Sequence, residues 1–203
     1  MAYRTKTYIA GDWEHDNDAI DKLYQWKNDN ILSFDFIDAH EYTQARDTSL
    51  NCSIKKSLKE RLDRSKTFIL VVGEFTNLVT AGSCRYCSSN NSTKRYCVRG
   101  HNLDFRSYIK YECEEALKAN MSIIVLYNSN QVIRTWCPEI LRNKGKHYPM
   151  KKSIGWDYQG INLIIKYYSW VDLFYTIRIR KAWLSILCKM QTIQMHCYIK
   201  NSV

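Results

Sequence analysis

Glycine and proline are scarce in this sequence: its 203 residues include seven glycines and two prolines. This scarcity leaves no room for a flexible low-complexity linker. There is neither a G-x-G-x-x-G pattern nor a P-loop, which disfavours a conventional Rossmann dehydrogenase. With 45% hydrophobic and 13% aromatic residues, the chain is long enough for one well-buried core but short for two, so we expect one domain plus an extension.

An apolar signal core and a small-residue cleavage site are also missing from the first residues, so we expect a cytoplasmic protein. Charged residues interrupt every apolar stretch of residues 160–190 well short of the roughly eighteen residues that a membrane-spanning helix needs. No membrane span is therefore expected. In a reducing compartment, the eight cysteines are better interpreted as thiols and metal ligands than as a disulfide framework.

The net charge of +10 is concentrated near the end of the chain, because residues 151–203 hold eight Lys and Arg against two acidic residues. A basic tail suits an anionic partner, but basic residues scattered among apolar ones more often form a solvated face, so nucleic acid is not expected as a partner. We expect residues 158–203 to be a helical extension. Its apolar face either packs on the domain, which is the commoner arrangement, or is buried in a homo-oligomer.

Alternating strand and helix patterns run through residues 1–157 and predict one α/β domain. The predicted strands are residues 5–10, 32–37, 67–72, 122–127 and, more weakly patterned, 147–150. Apolar residues at helical spacing mark the predicted helices, namely Ala19, Ile20, Leu23 and Tyr24, then Ile54, Leu58 and Leu62, then Ile109, Cys113, Ala116 and Leu117. The pattern favours a flavodoxin-like, doubly wound parallel sheet with strand order 2-1-3-4-5.

In such a sheet, ligands bind outside the carboxyl ends of the strands, where the strand order reverses. The loop after the first strand, the loop of residues 38–51 and the start of the helix after the third strand should meet there. Their candidate reactive groups are Asp12, Asp38, His40 and Glu112. Spacing alone does not make Glu112 catalytic, because a glutamate beside an apolar stripe is more often a surface residue paired with a lysine such as Lys110 or Lys118.

A C-x2-C-x9-C-x3-H pattern lies in the long connection between residues 74 and 103, formed by Cys84, Cys87, Cys97 and His101. These residue types and spacings are typical of a closed, structural Zn²⁺ site. A bound ion would also offset the entropy of ordering a connection of this length. The alternatives are three unconnected thiols with a histidine, or a disulfide between Cys84 and Cys87.

Five segments together resemble bacterial TIR-like domains, specifically the ThsB-type sensor proteins of Thoeris anti-phage defence. The resemblance covers about residues 5–150, and it is carried by residues 6–10, 36–40, 49–62, 68–73 and 106–112. The last of these includes Tyr108-Ile-Lys-Tyr-Glu112, which resembles the aromatic-x-Tyr-Glu segment that opens the helix after the third strand in this family.

The resemblance implies an enzyme that uses NAD⁺ as a substrate rather than a cofactor. It would cleave the nicotinamide–ribose bond and pass ADP-ribose on as a cyclic or conjugated signal nucleotide, which a downstream effector reads. Glu112 aligns with the family's essential glutamate. The resemblance also assigns substrate binding to residues of the first two loops, namely Gly11, Asp12, Asp38, His40 and Ser49. Gly11 stands where the family usually has a bulky residue.

The predicted reaction suits a fixed carboxylate, because loss of nicotinamide creates oxocarbenium character at the ribose. The competing interpretation is a non-enzymatic interaction module with the same fold, in which Glu112 is a surface residue.

Overall fold

A parallel sheet of five strands forms the centre of the computed structural model, which describes residues 6–30, 36–38, 50–91, 93, 96–98 and 100–166. The chain divides into two units, residues 1–162 and 163–203. Residues 167–203 lie outside the described part of the chain, so the predicted helical extension is described only at its start, where residues 158–166 are helical. No helix among the described residues is both long and apolar enough to cross a membrane.

The order of the strands along the sheet is 2-1-3-4-5, all parallel, as the sequence predicts. The strands are β1 Lys6–Ala10, β2 Phe36–Asp38, β3 Ser65–Val72, β4 Ser122–Tyr127 and β5 Lys146–Pro149. β3 and β4 lie at the centre and are almost entirely buried, which explains their continuous apolar sequences. The α/β fold with a flavodoxin-like sheet is therefore confirmed.

Among the described residues, three α-helices connect the strands: α1 Asn17–Asn28, α2 Asn51–Leu62 and α3 Tyr108–Lys118. The connection from β1 to β2 runs in the opposite direction to the connections that follow, so right-handed crossovers place α1 on one face and α2 and α3 on the other. The core between the sheet and α2 and α3 includes Tyr8, Leu58, Phe68, Cys113 and Val125.

Two connections differ from the simplest strand–helix alternation. The connection from β3 to α3 contains short 3-10 turns at Thr76–Leu78 and Cys84–Tyr86 and a small antiparallel hairpin of Asn90–Asn91 and Tyr96–Cys97. Between β4 and β5 there are two more 3-10 turns, at Arg134–Trp136 and Glu139–Leu141, in place of a full α-helix.

Lys55 departs from the sequence pattern, which places it on the polar side of α2. Its side chain is 5% exposed. The ammonium group donates to the backbone carbonyl of Arg106 at 2.7 Å and contacts the Asp104 carboxylate at 3.3 Å. A lysine can be buried when its charge is compensated in this way, and the compensating groups come from a segment fifty residues away.

Candidate active site

The phenol of Tyr8 and the carboxylate of Glu112 meet inside the domain, where the hydroxyl donates to Oε1 at 2.5 Å. Tyr8 is on β1 and points toward the face covered by α2 and α3, because strand side chains alternate between faces. Its ring stacks on Phe68 of β3, with ring centroids 5.8 Å apart. The tyrosine is therefore held on one side by packing and on the other by its hydrogen bond.

Glu112 lies in the second turn of α3 and is only 3% exposed. Ser107 caps the N-terminus of this helix: its hydroxyl accepts a hydrogen bond from the backbone N–H of Lys110 and so fixes the start of the helix. Burial and then the charge of Glu112 raise the pKa of the neighbouring Cys113 thiol well above its ordinary value. The surface interpretation of Glu112, with its carboxylate paired to Lys110 or Lys118, does not match this geometry.

Asp12 follows β1 at the carboxyl edge of the sheet, and its carboxylate is turned inward. One oxygen accepts from the backbone N–H of Glu14 at 3.1 Å, and the other lies 2.7 Å from Nδ1 of His15. The hydrogen bond to Asp12 raises the pKa of His15. The His15 ring in turn lies 4.7 Å from the ring of Phe75, which follows β3.

Asp16, the residue before α1, belongs to the same edge. Its carboxylate accepts hydrogen bonds from the hydroxyl of Thr76 and the amide of Asn128, both at 3.1 Å. Burial raises the pKa of Asp16, and these two hydrogen bonds oppose that shift. Asp16 thus joins the segments that follow β1, β3 and β4. A single polar residue before a helix gives no sign of such partners.

Gly11 is packed against the core. A Cβ atom built on it would lie 3.0 Å from Ile20 and 3.2 Å from Val71, so a larger side chain would point toward α1. Any contact of this position with a ligand would therefore come from its backbone. Asp38 is the last residue of β2. His40 and Ser49 lie outside the described residues, so their assignment to substrate binding stays a prediction.

The four residues of the predicted zinc site lie along one connection but are not gathered around a point. Cys84 and Cys97 are buried, Cys87 is half-buried and His101 is exposed. Within the described part of the chain, no group of three or more His, Cys, Asp or Glu side chains is arranged to hold a metal ion. The described cysteines are all free thiols. As placed, these residues do not fit a closed tetrahedral site, and zinc binding stays a prediction.

Comparison with known proteins gives one family. Residues 7–80 match the family model described as Thoeris protein ThsB, TIR-like domain. The matched segment contains Tyr8, Asp12 and Asp16, and it ends before α3, so it does not include Glu112. No curated protein matches the chain.

One solved structure with a similar chain path is a 2-deoxyribosyltransferase from the psychrotolerant bacterium Bacillus psychrosaccharolyticus. The two chains are 12% identical, the alignment covers 77% of this chain and 90% of that chain, and the TM-score is 0.45. The family match over residues 7–80 supports a ThsB-type TIR-like family for this chain, as the resemblance predicts.

Proposed function

We propose that this chain is a TIR-like enzyme of anti-phage defence that cleaves the nicotinamide–ribose bond of NAD⁺ and releases a nucleotide signal derived from ADP-ribose. The observation that carries the proposal is the buried Glu112 carboxylate held by the hydroxyl of Tyr8 at 2.5 Å. The match of residues 7–80 to the ThsB-type family supports the same role, and this segment does not include Glu112.

In the proposed reaction, the bond between C1′ of the ribose and the nicotinamide nitrogen breaks, and its electron pair leaves with nicotinamide. Positive charge develops at C1′ and on the ring oxygen. Water then attacks C1′ and loses a proton, or a nucleophilic group of the same molecule attacks and closes a ring. The Glu112 carboxylate stabilises the developing cation, and its field is strong because little water surrounds it.

The hydrogen bond from Tyr8 favours an electrostatic role for Glu112 over a nucleophilic one. A donated hydrogen bond withdraws electron density from the carboxylate and fixes its orientation, so the group is less reactive as a nucleophile but needs no reorganisation when the cation forms. Because Glu112 is 3% exposed, the residues that cover it must move before a ribose can contact it.

The test is nicotinamide release from NAD⁺ by the purified full chain, measured by chromatography with and without a lysate of phage-infected cells. We expect release in at least one condition, and its loss in Glu112→Gln, which keeps the shape of the side chain. The matched control is Glu115→Gln on the same helix, whose carboxylate pairs with Lys118 at 2.7 Å. It should retain activity.

The competing function is a TIR-like interaction module without enzymatic activity. Two results would favour this interaction module over the enzymatic proposal. One is the absence of nicotinamide release in both conditions, and the other is equal release by Glu112→Gln and the unmodified chain.

A further inference from the structure

A second candidate site lies on the other flank of α3, in a cavity of about 620 Å³. Its walls come from the segment after β3, the start of α3 and the 3-10 turn at Glu139–Leu141. The volume is within the range of about 300–1,000 Å³ that is typical of small-molecule sites. Lys110 lines the cavity and Glu112 does not. Residues two positions apart in an α-helix, such as Lys110 and Glu112, are about 200° apart around its axis, so Lys110 and the buried Glu112 carboxylate lie on different sides of α3.

Two cationic side chains of this cavity have no partner among the described residues. Arg85 and Lys110 both line it. Their backbone N–H groups donate to the hydroxyls of Ser83 and Ser107, respectively. In the part of the chain that the structure describes, neither the Arg85 guanidinium nor the Lys110 ammonium group has a hydrogen-bond or ion-pair partner. Two unpaired cations at one cavity are suited to a phosphate group.

The acidic groups of the cavity do not cancel this charge. Its carboxylates are Glu114 and Glu139, and Glu114 is already bonded to Arg106 at 2.6 Å. A third cation, Arg142, also lines the cavity and donates from Nε to the backbone carbonyl of Cys137. The net charge of the side chains that line the cavity is therefore positive.

Exposed aromatic rings complete the lining. Tyr86 is 68% exposed and Phe105 is 56% exposed, and both border the cavity. A planar base can stack on exposed aromatic rings of this kind. The cavity therefore offers a platform for a flat ring beside cations for a phosphate.

We propose that this cavity binds a nucleoside phosphate, with the base against Tyr86 and Phe105 and the phosphate at Arg85 and Lys110. The site is separate from Glu112 and does not depend on the proposed NAD⁺ cleavage. It gives the domain a place where a nucleotide can bind without being consumed.

The test is calorimetric titration of the full chain with adenosine 5′-monophosphate at low ionic strength, alongside adenosine and inorganic phosphate. We expect the nucleotide to bind at least about tenfold more tightly than either part alone, because each part makes only some of the contacts. The double variant Arg85→Gln/Lys110→Gln should lose about tenfold or more in affinity. Because those side chains pair with no described residue, its thermal unfolding should be unchanged.

Further variants separate this site from Glu112. Tyr86→Ala should also weaken nucleotide binding. Glu112→Gln and the exposed-charge control Lys144→Gln should leave it unchanged. The proposal is overturned if the nucleotide does not bind, if inorganic phosphate or adenosine binds as tightly, or if the double variant and Tyr86→Ala both keep the original affinity. Loss of binding in Glu112→Gln would indicate that the nucleotide binds on the other side of α3, and this result would also overturn the proposal.

Discussion

The hydroxyl of Tyr8 and the carboxylate of Glu112 are 2.5 Å apart in space and 104 residues apart in sequence. Tyr8 comes from the first strand, and Glu112 comes from the helix that follows the third. The hydrogen bond therefore depends on two separate strand–helix units being correctly assembled, with β1 next to β3 and α3 packed in the same core as Tyr8.

Removing the Tyr8 hydroxyl should affect both stability and activity. In Tyr8→Phe the buried carboxylate loses a donor, which should lower the free energy of unfolding by about 1–3 kcal/mol. If the chain cleaves NAD⁺ as proposed, kcat should fall about tenfold or more, while KM changes little because the phenol orients Glu112 rather than the substrate. Urea unfolding and initial rates at several NAD⁺ concentrations measure the two effects. A higher KM with unchanged kcat would instead assign Tyr8 to substrate binding.

Gly73 should tolerate no side chain, because a Cβ atom there would lie 1.9 Å from Oδ1 of Asp16. In Gly73→Ala, the Asp16 carboxylate must leave its hydrogen bonds to Thr76 and Asn128. We expect a loss of about 2–3 kcal/mol in the free energy of unfolding, measured in urea.

The double variant Gly73→Ala/Asp16→Ala provides the control for this collision. With the carboxylate absent, adding the methyl group at position 73 should cost clearly less than it does in the unmodified chain. Additive effects of the two substitutions would show that the clash with Asp16 is not the cause.

Acid should weaken the domain partly through Asp104. Burial opposes ionisation of this carboxyl group, but hydrogen bonds from Arg106 and the charge of Lys55 outweigh burial and hold its pKa well below the ordinary value of 3.8. A lowered pKa in the folded state stabilises the fold above the unfolded-state pKa, and this stabilisation is lost as the pH falls through the folded-state pKa. The free energy of unfolding of the unmodified chain should therefore fall more steeply below about pH 4 than that of Asp104→Asn. Parallel curves for the two proteins would contradict this assignment.

The zinc prediction is decided by elemental analysis of the purified chain. The C-x2-C-x9-C-x3-H spacing predicts about one zinc per chain, lost in Cys84→Ser/Cys87→Ser. Binding would require His101, which is exposed, to turn toward the thiols of Cys84 and Cys97. A preparation that holds no metal and unfolds at the same temperature with and without a chelator would leave these residues as ordinary thiols and an exposed imidazole.

Several parts of the fold follow from the sequence alone. The strand Ser122–Tyr127 has the predicted bounds, and the predicted strand over residues 67–72 lies within Ser65–Val72. Both are buried on two faces, so an uninterrupted apolar run is sufficient to locate them. The strand order also follows, because right-handed crossovers and helices on both faces leave few arrangements for this succession of elements.

Only the tertiary structure decides which groups meet. Periodicity shows which face of α3 is buried, but not that Glu112 reaches a phenol on β1, since strand register and helix placement set that contact. The same holds for Lys55, which can be buried because carbonyl groups about fifty residues away accept hydrogen bonds from its ammonium group. It holds also for Asp16, whose carboxylate binds Thr76 and Asn128 instead of capping its own helix. Local sequence patterns predict which side chains are buried. The partner of a buried polar group depends on how segments distant in the chain pack together.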